Sequence, residues 1–100
     1  MRVDWSKRSE YVRSRHAVEQ ASADEAVQDE HAVWLRPDPA SLSGRSVRVI
    51  GYSSSAQQLL TVILGDAEAD PSEKPEGDWW GSNAWVASEK DRHLYGREDI

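Results

Sequence analysis

One hundred residues make one domain, with little room for a second core. Apolar residues are 38% and charged residues 30% of the chain, ordinary for a soluble globular protein, and the absence of cysteine excludes a disulfide framework and a thiolate metal site. The formal net charge of −6 opposes non-specific nucleic-acid binding, and no apolar run approaches the roughly 20 residues of a membrane helix. A soluble, cytoplasmic protein without a basic leader segment is expected.

Phenylalanine is absent and methionine occurs once, so five tryptophans and three tyrosines must supply the large core pieces. In chain order, residues 2–5 (RVDW) read as a short opening strand or lead-in. Ser6 is placed to cap a helix running to about Arg15, with Tyr11 and Val12 on its apolar stripe, and His16-Ala17-Val18 interrupts it. Ser22 and Glu25 have capping-box spacing and predict a second helix to about Gln28. His31 to Arg36 reads as a strand stopped by Pro37 and Pro39. Residues 45–52 alternate, with Val47 and Val49 on one face and Arg48 and Ile50 on the other. A turn at 53–56 leads to the most apolar strand, 59–64, which predicts a central antiparallel hairpin.

Residues 65–78 (GDAEADPSEKPEGD) hold six acids against one base, a local charge of −5 that leaves −1 for the other 86 residues. With Pro71, Pro75 and two glycines, this stretch predicts a flexible loop inserted between neighbouring strands. Trp79 to Val86 follows as a strand, in which Gly81 permits a bulge or a close approach. Without a bulge, Trp79 and Trp85 share one face and Trp80 takes the other. Ser88 caps a last helix, Asp91 favours its first turn, and Gly96 ends it. The whole predicts an α+β fold: two N-terminal helices and a C-terminal helix on an antiparallel sheet of about four strands.

Several short motifs occur in a telling order. They are Arg15-His16-Ala17-Val18, Ser22 with Glu25, Val49-Ile50-Gly51, the apolar run Leu59–Leu64, and then Asn83-Ala84-Trp85-Val86-Ala87-Ser88 running on through Glu89 to Tyr95. In that order and spacing the chain resembles the RelE-like toxins of bacterial toxin–antitoxin pairs, and the BrnT type most closely. The resemblance spans most of residues 3–96 apart from the acidic stretch. It departs in two places: the family's arginine at the final strand-to-helix joint is Trp85 here, and its glycine after the histidine is Ala17.

The resemblance implies a metal-independent ribonuclease without a cofactor, neutralised by a cognate antitoxin and assembling with it or as a homodimer, with no membrane partner. The class of reaction is attack of a ribose 2′-hydroxyl on the adjacent phosphate, which needs a base, an acid and positive charge at the developing phosphorane. His16 lies in the family motif and is the candidate base, against a plain role packing a helix corner. Arg45 and Arg48 would clamp phosphate; the alternative for each is a solvated face or an ion pair with Asp38 or Asp91. Arg15, Asn83, Trp80 and Trp85 are candidate RNA contacts, the tryptophans serving equally as core or as anchors for a protein partner. Tyr95, one turn past Asp91, is either a site residue or a buried ring with its hydroxyl bonded. A second reading, favoured by the acidic loop and by Trp85 in the arginine's place, is a non-catalytic protein-binding or regulatory module of the same fold.

Overall fold

A computed structural model describes residues 2–96. In chain order the elements are β1 (Val3–Asp4), α1 (Ser9–His16), α2 (Gln20–Gln28), β2 (Val33–Leu35), β3 (Ser46–Ser53), β4 (Gln58–Asp66), β5 (Trp79–Val86) and α3 (Glu89–Gly96). The sheet has five strands, not about four, in the order β1-β5-β4-β3-β2. All neighbours are antiparallel except β1 and β5, which pair in parallel through Val3 with Trp79 and Asp4 with Trp80. The lead-in is thus a true edge strand, and the fold is a small α+β domain.

Register decides which side chains share a face. Val47 and Val49 stand with Leu60, Val62, Leu64 and Ala84 on the face covered by α1 and α2, and they pack with Trp5, Val12, Val18, Ala23, Ala26 and Val27. Each fully buried Val or Leu contributes about 1.5–3 kcal/mol, so this face is the principal core. Two glycines let the layers touch. A Cβ on Gly51 would run into the backbone carbonyl of Ala26 in α2, and one on Gly81 would run into the Trp5 ring. The other face, bearing Arg48, Ile50, Thr61 and Ile63, is met by α3.

Local signals were overridden in three places. Helix α1 begins at Ser9 rather than near Ser6, because the Arg8 and Ser9 amides both donate to the Trp5 carbonyl and form a turn first. Helix α2 begins at Gln20, so Ser22 is a buried residue inside it and not its cap. Glu25 reaches instead across to the β3–β4 turn, where its carboxylate accepts from Ser53 Oγ at 2.7 Å, Ser55 Oγ at 2.6 Å and the Ser55 amide at 2.9 Å. These bonds, Ser55 Oγ foremost, hold the Glu25 carboxyl below its ordinary value. Strand β2 is shorter than expected, since Asp29 gathers the His31 and Ala32 amides into a turn.

The hairpin β3–β4 and strand β5 lie where the sequence places them, but β4 extends through Gly65 and Asp66, so the acidic loop proper is residues 67–78. Ser82 is an extra residue between the Ile63–Asn83 and Leu64–Gly81 pairs. This is the bulge that Gly81 permitted, and with it Trp80 and Trp85 share a face while Trp79 takes the other. Ser88 Oγ accepts the Asp91 amide at 3.2 Å, capping α3. Gly96 is the last described residue, so the stop predicted there lies outside them. Among the described residues no helix is long and apolar enough to cross a membrane.

Candidate functional site

Trp85 is where separated candidates meet. It stands on β5 opposite Thr61 and is half-buried. His16, the last residue of α1, places its ring 5.9 Å from that of Trp85, and Tyr11 approaches His16 edge-on at 6.3 Å. Ala17, in a left-handed conformation at φ 57°, ends the helix just past His16 and turns the chain away. The Arg48 guanidinium carbon lies 5.9 Å from the Trp85 ring. Positions 16, 48 and 85 thus converge on one indole.

Arg48 is strongly engaged. Its Nε donates to Asp38 Oδ1 at 2.9 Å, and one terminal nitrogen donates to both oxygens of Asp91, at 3.1 and 3.3 Å. Thr61 Oγ1 donates to Asp91 Oδ2 at 2.8 Å. Asp38 and Asp91 are buried, only 6% and 2% exposed. Of the two readings of Arg48, the ion-pair alternative describes its position, and both suggested carboxylates are present at once. The group is a three-membered buried ion cluster tying the β2–β3 loop and α3 to the sheet.

The remaining candidates are distributed. Arg15 is exposed on α1 beside His16. Asn83 is half-buried on the Trp85 face, its Oδ1 accepting the Ala84 amide. Arg45 is exposed ahead of β3 and faces Asp66 at 3.8 Å, away from Trp85. Trp80 is 7% exposed, so it offers no open ring for stacking, and Lys7 lies over it. Tyr95 donates its hydroxyl to Asp29 Oδ2 at 2.7 Å, at the far end of α3 from Asp91. Burial opposes ionisation of Asp29, but bonds from the Tyr52 and His31 amides and the Tyr95 hydroxyl outweigh it and set the carboxyl below its ordinary value.

Two contributors escaped sequence reading. Tyr11 falls on the expected apolar stripe, yet it is 40% exposed and flanks His16. Arg8 lies 4.1 Å from the Tyr11 ring while its Nε donates to the Ser82 carbonyl at the bulge, fixing α1 to the edge of β5. The composition of α1, with basic Arg13, Arg15 and His16 in its last turn, was the available signal.

Elsewhere, a polar cavity of about 310 Å³ lies between β1 and α2, lined by Arg2, Asp4, Asp24 and Glu76 among others. Burial raises the Asp24 carboxyl there, against the opposing bond from Trp5 Nε1 at 2.8 Å. Among the described residues no group of three or more His, Asp or Glu is placed to hold a metal ion. A scan against protein-family models finds no match, and a search of the curated proteins finds none either.

Proposed function

We propose that this chain is the toxin of a bacterial type II toxin–antitoxin pair: a RelE/BrnT-like ribonuclease acting on cytoplasmic RNA and neutralised by a cognate antitoxin. The order of motifs supports descent from that family, and the α+β architecture agrees with it. The observation that carries the reading is the meeting of His16 with Tyr11 and Trp85 at the end of α1. An imidazole between two aromatic rings can take a proton from a 2′-hydroxyl while a neighbouring base stacks on the ring left exposed. The 2′-oxygen then attacks phosphorus, the bond to the 5′-oxygen breaks with its electron pair, that oxygen takes a proton from water, and a cyclic phosphate remains. Exposed Arg15 adds positive charge beside His16. Arg48 acts through Trp85 and the ion cluster as a positioning residue.

One observation favours the second reading, a non-catalytic partner-binding module. The Arg48 guanidinium is offset by two buried carboxylates, so it brings no net positive charge to a phosphorane. Induced expression in bacteria separates the two. Growth arrest by the wild type, relieved by His16→Ala at equal soluble protein, is expected for the toxin. A soluble wild type that neither arrests growth nor cleaves RNA after purification in chelator would sink the ribonuclease reading and leave the module.

A further inference from the structure

The face of the sheet opposite Trp85 carries a cluster that the His16 site does not use. Trp34, on the edge strand β2, and Trp79, on β5, bring their rings to 5.7 Å at an angle of 49°. Both pack at the margin of the core and are half-buried. The exposed Arg36 guanidinium lies over the pair, 4.7 Å from the Trp34 ring and 5.4 Å from that of Trp79. Among the described residues Arg36 meets no carboxylate and no other acceptor, unlike Arg45 and Arg48, each of which faces an aspartate. Two indole rings therefore position a cation whose N–H donors are unspent.

Strand β2 adds an independent feature. It is the last strand of the sheet, so one of its sides meets no strand. The Asp66 amide donates to the Arg45 carbonyl, and in the alternating ladder this turns the N–H and C=O of Val49 toward β4. Trp34, opposite Val49, accordingly turns its own N–H and C=O to the open side. An open backbone edge beside an unpaired guanidinium fits β-strand addition, in which main-chain bonds hold a segment and side-chain contacts select it. The planar fork of the guanidinium grips a carboxylate through two bonds. An RNA strand suits the place less, because Asp66 stands opposite Trp79 and Asp78 precedes it, and a run of phosphates needs several unpaired cations. We propose that β2 accepts an extended segment of a protein partner, paired to its open edge at Trp34, with an aspartate or glutamate carboxylate of that segment bound to Arg36. This surface and Trp85 lie on opposite faces of the sheet, and the proposal stands whether or not the protein cleaves RNA.

NMR of the intact protein tests it, with a capped peptide of alternating valine and glutamate as the probe. The peptide, titrated at constant ionic strength, is expected to shift the Arg36 side-chain signal and the Trp34 and Trp79 indole signals saturably, while the other three indoles stay in place. Hydrogen exchange of the Trp34 backbone amide should slow in the complex, the mark of a strand added at that edge. Affinity should fall about tenfold in Arg36→Gln, and by a similar factor when glutamine replaces glutamate in the peptide, since each change removes one charged pair. Arg36→Lys, which keeps the charge without the fork, should bind between the two. Arg36 is exposed, and unmoved signals from the other tryptophans report that each variant is folded. No saturable shift, an equal response to acetate, an unslowed Trp34 amide, or tighter binding of hexauridylate than of the peptide would overturn the proposal, the last result assigning the surface to RNA instead.

Discussion

At the residue scale the most consequential side chain is Arg48, and its consequence is structural. Removing it leaves the buried carboxylates of Asp38 and Asp91 without their cation. Arg48→Ala is expected to cost about 3–5 kcal/mol, read as a lower denaturant midpoint at neutral pH, so loss of toxicity in this variant would report unfolding before chemistry. Asp24 predicts a pH effect of the opposite sense. Its carboxyl is raised by burial, so the folded state takes up the proton before the unfolded state does. The cost of its charge is largest near neutrality and fades as pH falls toward the ordinary carboxylate value. Asp24→Asn keeps an oxygen for Trp5 Nε1, and it should melt higher than the wild type at pH 7, with the gap closing in acid. A gap that widened in acid would mean the carboxylate is stabilising. The pairing of Arg48 with Asp38 or Asp91 was legible as an alternative because opposite charges fell on one strand face and one helix turn. The regrouping of Trp80 and Trp85 was not, since nothing in the sequence says whether Gly81 or its neighbour accommodates the extra residue.

At the element scale, strands were more legible than helix starts. The alternation that opens residues 46–53 and the continuous apolar run within 58–66 reflect positions buried on one or both faces of the central sheet, patterns that local chemistry does not disturb. Helix starts depend on which hydrogen bond wins, and Glu25 shows how a tertiary partner defeats a local one: its carboxylate meets three donors in the β3–β4 turn rather than a single backbone N–H. The acidic loop is a case between. Its start is fixed by the Glu68 and Ala69 amides on Asp66 and its end by the Arg2 amide on Asp78 and the Glu76 amide on Asp4, while Lys7 holds Asp70 well below the usual carboxylate range. Its middle contributes little apolar surface. Replacing residues 68–75 with a short turn should leave strand register unchanged and lower the melting temperature by less than about 5 °C. A larger drop in calorimetry would show that the loop packs on Trp80 more tightly than its exposed residues indicate.

At the scale of the whole molecule, the sheet is closed by its smallest strand. Two residues carry no periodicity, which is why β1 read only as a lead-in, yet they place Trp5 against Gly81 and so complete the core. Arg2 and Asp78 are 76 positions apart. During synthesis Trp5 therefore emerges long before the strand that receives it, and at ordinary translation rates of about 5–20 residues per second it waits several seconds with its large apolar ring uncovered. For those seconds the nascent chain offers the feature that chaperones and stray hydrophobic surfaces recognise. A protein closed in this way completes its core only once β5 has been made, and a ribosome stalled before residue 79 holds a chain whose first tryptophan has no β5 to pack on.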